Sequence, residues 1–186
     1  MKKALIVVVI SVLSLSLSFL PLWCQSSMES ENHFQQGKFS TDFQWWIQGN
    51  FDKSFGYFGW ALVSKNWSEI YPGVSWQPAS WLQLGVGFGI EQNQSKPRFG
   101  SFLWAGKGSV YFLGFLEAWG SGLWYRAMAM YRLNQTFQVG LMSEHKLGIG
   151  PKVEVAFYKP FSLWFALLTM GQNPRTTGFA GIKLNF

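Results

Sequence analysis

A two-residue hydrophobic period, running from Thr41 to the end of the chain, constrains this sequence more than any other feature. In Trp81–Gln92, Leu82, Leu84, Val86, Phe88 and Ile90 alternate with Gln83, Gly85, Gly87, Gly89 and Glu91. Successive helical residues lie about 100° apart and cannot be sorted this way, whereas a strand puts the two sets on opposite faces. The alternation recurs at 41–51, 69–77, 123–133, 137–144 and 147–158, while 54–65, 99–107, 110–119 and 161–170 are apolar on both faces. With the terminal segment this makes roughly eleven strand candidates, divided by Gly, Pro and Asn punctuation.

The sequence divides into three parts. Residues 1–26 read as a secretory signal peptide: Lys2 and Lys3, an apolar run from Ala4 to Leu20, then Pro21 and small residues before the cut. A lipidated Cys24 and an uncleaved anchor are the alternatives. Residues 27–40 read as a polar N-terminal segment with an exposed His33, or as a weak first strand over Glu31–Phe39; residues 41–186 carry the strands. Past the leader, the longest apolar run, Phe161–Met170, has about half of the roughly 20 residues a membrane helix needs.

One alternating pattern fits two objects. A soluble ligand-binding barrel puts its apolar face inside; a membrane barrel turns it outward. Charged residues are 13% of the chain, against about 25% in a typical soluble domain. The more polar face carries many glycines plus Trp46, Trp124, Met128, Met130 and Met142, too little charge for a water-exposed surface. It suits a narrow lumen. The expected fold is therefore an all-β, transmembrane, antiparallel up-and-down barrel. Its expected strand number is about ten to twelve, with eight left open: eleven is odd, and such barrels pair their strands evenly.

The last nine residues, Gly178-Phe179-Ala180-Gly181-Ile182-Lys183-Leu184-Asn185-Phe186, set Ala180, Ile182, Leu184 and Phe186 on one face. This resembles the C-terminal strand of bacterial outer-membrane β-barrel proteins. The resemblance implies an address in the outer membrane of a diderm bacterium and recognition of those four residues by the barrel-insertion machinery. It also implies contact with outer-membrane lipid, lipopolysaccharide included; it implies no activity. Short connections on one side of the strand set and longer ones on the other match that class. Lys96, Arg98 and Arg175 fall on the longer connections, where lipopolysaccharide phosphates would lie.

With the polar face inward, Glu91, Glu117, Arg126, Arg132, Glu144, Lys152 and Glu154 converge, and buried charges must be paired or hydrated. A lumen ion-pair network is expected from Glu117, Arg126, Arg132, Lys152 and Glu154. Catalytic residues and cofactors are not expected. Ser143 and His145 share a strand face, but in Ser-x-His order, the reverse of the His-x-Ser pair of outer-membrane lipid A deacylases, and with no third group to orient the base. No metal-ligand spacing stands out. The net charge of +6 is not clustered as nucleic-acid binding requires. The leading expectation is a non-enzymatic barrel with a structural or surface role and a largely filled lumen. The alternatives are a narrow pore for small solutes or ions, a lipid-modifying hydrolase, and a secreted soluble ligand-binding barrel.

Overall fold

A computed structural model describes residues 25–170 and 176–186. The strands are β1 Gln25–Gln35, β2 Lys38–Asn50, β3 Phe55–Ser64, β4 Ser68–Ala79, β5 Leu82–Glu91 and β6 Arg98–Lys107. They continue as β7 Val110–Trp119, β8 Trp124–Arg132, β9 Phe137–Glu144, β10 Gly148–Tyr158, β11 Phe161–Thr169 and β12 Thr176–Asn185. Each pairs antiparallel with its chain neighbours, and β1 pairs with β12 to close the barrel. The backbone of Ser26 exchanges two hydrogen bonds with Phe186, of 2.8 and 2.9 Å, at that seam. Strand lengths run from 8 to 13 residues, bracketing the roughly 9–11 that a tilted membrane-crossing strand needs.

The up-and-down all-β closure matches the sequence expectation; the strand count is corrected to twelve, and the eight-stranded option is overturned. The twelfth strand is not the weak Glu31–Phe39 element. Gln36 and Gly37 both have positive φ, 52° and 74°, and form a tight two-residue hairpin turn that splits this stretch into the end of β1 and the start of β2. Residues 27–40 are thus strand and turn, not a tail. Residues 1–24 of the proposed leader 1–26, Cys24 included, lie outside the described residues, and its last two, Gln25 and Ser26, open β1.

Apolar side chains point away from the axis. In β5, Gly85, Gly87 and Glu91 are buried, whereas Phe88 is 55% and Ile90 61% exposed. A soluble ligand-binding barrel needs the opposite orientation. Exposed Trp76, Trp81 and Phe161 ring the end carrying the chain termini, and Phe34, Phe39, Trp119 and Tyr125 ring the far end. Val86, Leu141, Val153, Phe165 and Ile182 lie between them. β1 is polar on its outward face too, but its Asn32 is satisfied: it donates to the Ala180 carbonyl (3.2 Å) and accepts from Thr41 Oγ1 (2.8 Å).

On the termini side the turns have two to four residues. In the turn after β2, Asp52 Oδ1 accepts the backbone N–H of Ser54 (2.7 Å) and of Phe55 (2.8 Å). Those donors, Ser54 first and Phe55 second, hold the exposed Asp52 carboxyl below its ordinary range. A depressed carboxylate contributes stability above its unfolded pKa and loses it as pH falls through the lowered value. Asp52→Ala is therefore expected to lower the urea midpoint at neutral pH, with the gap to wild type closing once both are acidified below the carboxylate range. A gap that persists in acid would assign the effect to something other than this ionised cap.

Candidate functional site: the lumen

The inward positions build two different regions. On one wall, aromatic side chains pack into the lumen. Trp46 packs against Phe58, Phe102 and Phe115 with ring centroids 5.3, 5.0 and 5.8 Å apart, and Trp60 stacks on Tyr71 at 5.3 Å. These rings fit because strands facing them carry glycine: a Cβ on Gly85 would collide with the Phe102 ring. On the opposite wall Met142, Trp164, Ala166, Leu168 and Phe179 form a second buried cluster, and Gly181 makes the same kind of room for Trp164.

Two arginines organise the charges above and between these clusters. Arg98, only 2% exposed, reaches Glu117 at 2.7 Å, Glu69 at 3.1 Å and Glu91 at 3.4 Å. Its Nε also donates to the Tyr71 hydroxyl (2.8 Å), which donates onward to Glu69 (2.9 Å). Its Nη1 donates to the Trp119 and Gly122 carbonyls and to Ser121 Oγ, tying the connection between β7 and β8 to the lumen wall. Arg126 grips Glu31 with both Nη atoms, at 2.7 and 2.6 Å, and Glu144 through Nε at 2.8 Å. His33 Nε2 lies 2.6 Å from Glu31 and 3.3 Å from Asp42. A bidentate guanidinium–carboxylate pair is among the stronger polar contacts a buried site can hold.

Beside these rings the lumen is open. A cavity of about 1030 Å³ reaches from Ser27 and Asn185 at the rim up to Trp60, Trp124 and Arg126. Arg126, Arg132, Lys152 and Lys183 border it, against Glu29 and Glu154, so cations outnumber carboxylates. Beyond it, the gap among Trp46, Phe58, Trp60, Tyr71, Phe102 and Phe115 is about 10 Å³, at or below the roughly 10–15 Å³ one water needs.

The five residues expected to form one ion-pair network are dispersed. Glu117 pairs with Arg98, and Arg126 with Glu31 and Glu144. Lys152 Nζ sits 3.4 Å over the Trp164 ring, and Glu154 accepts from Ser162 Oγ at 2.9 Å. Arg132 borders the cavity and has no carboxylate within 4.0 Å among the described residues. Glu91 and Glu144, also placed on the polar face by the sequence, join the Arg98 and Arg126 groups respectively.

Three sequence readings are corrected. Arg98 is not a loop residue facing lipopolysaccharide but the buried start of β6. His33 is not a solvated tail residue but faces the lumen from β1, beside the Phe179 ring at 4.7 Å. Metal-ligand spacing was not evident, yet β1–β2 pairing gathers Glu31, His33 and Asp42. Glu-x-His on one strand face was the available signal, hidden because its partner, Asp42, lies across a turn. Arg175 lies outside the described residues; Lys96 is exposed.

Ser143 and His145 do lie together at the far end of β9, where His145 stacks on Tyr125 at 5.5 Å. No hydrogen bond joins them, and no carboxylate or amide orients the imidazole, among the described residues. Ala180, Ile182 and Leu184 share the outward face of β12, with Ile182 exposed, while Phe186 follows the strand's end and borders the cavity at the rim.

No family model matches this sequence, and no curated protein does. Solved structures do. The KdgM porin in complex with disordered oligogalacturonate superposes with a TM-score of 0.62 at 14% identity, over 86% of this chain and 99% of that one. The NanC porin gives 0.52 at 9% identity, over 86% and 98%. The outer membrane phospholipase A from Escherichia coli gives 0.52 at 10% identity, over 86% and 89%. At such identities the likeness speaks for architecture alone. Twelve strands in a closed antiparallel ring, apolar outside and charged within, give this chain the fold of the outer-membrane β-barrel porins.

Proposed function

We propose that this chain is a non-enzymatic integral outer-membrane barrel whose lumen is sealed, serving a structural or surface role. In this reading the leader is cleaved on export, and Ala180, Ile182, Leu184 and Phe186 are read by the barrel-insertion machinery. The outward apolar band then meets outer-membrane lipid, with lipopolysaccharide at the far rim. The observation carrying the sealed-lumen reading is the packing of Trp46, Phe58, Trp60, Tyr71, Phe102 and Phe115 against one another inside the lumen, flanked by the Arg98 and Arg126 groups.

Reconstituted in planar bilayers, the wild-type protein is expected to leave the membrane without large steady channels. Long-lived openings of the size an open porin gives would defeat the sealed reading. Fractionation belongs with it: the protein should sit with outer membranes and resist SDS until boiled, and recovery in a periplasmic wash would remove the membrane assignment.

A narrow pore for small solutes or ions is the second reading. The cation excess around the 1030 Å³ cavity favours it, and would bias such a pore toward anions. Liposome swelling with a small anionic against a small cationic solute separates the two readings: any sustained, charge-biased flux supports the pore.

A further inference from the structure

Glu31 and His33 stand two apart on β1 and share its inward face, and Asp42 on β2 lies directly opposite Glu31 in the register. Like charges directly opposed across a ladder repel. Arg126 relieves Glu31, but the ion-pair partner of Asp42 among the described residues is His33, at 3.3 Å. That imidazole is close without being well used. Its Nε2 lies 2.6 Å from Glu31 Oε1, but with poor hydrogen-bond direction.

The ligand atoms of Glu31, His33 and Asp42 all lie within 4.8 Å of one another. Tetrahedral nitrogen and oxygen ligands at about 2.0–2.2 Å from an ion stand about 3.3 Å apart; the His33–Asp42 pair already has that separation, while the Glu31–His33 pair, at 2.6 Å, would open by less than an ångström to admit the ion. We propose that Glu31, His33 and Asp42 form a binding site for a divalent transition-metal cation of the zinc type, with water completing the shell.

The donor set argues for that class. One imidazole with two carboxylates suits zinc and its neighbours, whereas magnesium and calcium take oxygen shells. The charges agree. Glu31, Asp42 and Glu144 set three carboxylates against the single guanidinium of Arg126, a deficit of two when His33 is neutral, as ligation requires. Arg126 would keep Glu144, held through Nε at 2.8 Å and Nη2 at 2.6 Å, while yielding Glu31 Oε1 to the ion. The Phe179 ring, 4.7 Å away, limits how the imidazole can turn. The side chains of His33 and Asp42 are 20% and 18% exposed, so water, and an ion, can reach them. A bound ion would staple β1 to β2 beside the β1–β12 seam. None of this depends on whether the lumen is sealed or conducting.

The test is a titration of the full chain, folded in detergent micelles, with zinc chloride against a chromogenic chelator. One equivalent per barrel is expected. His33→Ala and Asp42→Asn should each weaken it by at least the roughly 10–100-fold that loss of an outer-shell partner costs. His145→Ala, which removes the chain's other imidazole, should leave it unchanged. Cobalt(II) added to the wild-type chain should give the visible bands of a four-coordinate site. Wild-type protein that takes up no stoichiometric zinc overturns the site, as does a His33→Ala chain that binds as tightly. If His33→Ala does not fold, the cobalt spectrum of the wild type decides: without four-coordinate bands the site is absent.

Discussion

Arg126→Ala is expected to cost the folded barrel about 3–5 kcal/mol, the usual penalty for removing one partner from a buried charge group. The reason is what the substitution leaves behind. Glu31 is fully buried and Glu144 nearly so, and both take their guanidinium contacts from Arg126. Without it, two buried carboxylates face each other, and water entering from the adjoining cavity supplies neither the charge nor the fixed fork of the bidentate pair. Urea unfolding in micelles, followed by loss of the heat-modifiable gel species, measures the effect. The internal check is a triple variant, Arg126→Met with Glu31→Gln and Glu144→Gln, which should recover most of the loss. Replacing a whole buried ion group by neutral residues of similar volume is often close to neutral, whereas breaking it is not. A single variant within about 1 kcal/mol of wild type would mean that the network is hydrated and behaves as a surface pair.

The second large effect belongs to Arg98, and it should appear as conductance as well as stability. Arg98 bridges Glu69, Glu91 and Glu117 and also holds the β7–β8 connection through Trp119, Ser121 and Gly122. Arg98→Ala removes both functions together. Three carboxylates from β4, β5 and β7 then repel across the far end of the lumen, and the strap above them loses its anchor. A stability loss of about 3–5 kcal/mol is expected on the same grounds as for Arg126. In planar bilayers the variant should show openings that the wild type lacks. Arg98→Lys should fall between the two, since an ammonium restores charge but not the planar fork that serves several acceptors at once. If Arg98→Ala folds, loses stability and stays closed, the aromatic packing around Trp46 and Phe102 seals the lumen unaided, and the arginine group is only structural.

The two arginines mark how far residue patterns reach. Strand type was readable because the side-chain period of a strand is a local property. Val86, Phe88 and Ile90 alternate with glycines whatever they are paired with. Low charge and the alternation near Phe186 pointed outward for the same reason. The β1–β2 hairpin was not readable. Gln36–Gly37 is a weak turn signal beside Asn-Gly or Asp-Gly, and the acidic inward residues of β1 made the segment resemble a solvated tail.

Arg98 was hidden differently. It follows Pro97 at the end of a polar connection, and its strand is apolar on both faces, so no local pattern assigned it to the lumen. The strand count and the choice of charge partners were settled by closure. Glu31 and Arg126 are 95 positions apart and meet because twelve strands return β1 to β12. Periodicity is carried by neighbouring residues, and where apolar and polar residues alternate the chain alone determined which face each side chain takes. Partnership across a barrel depends on register and circumference, which exist only once the ring has closed.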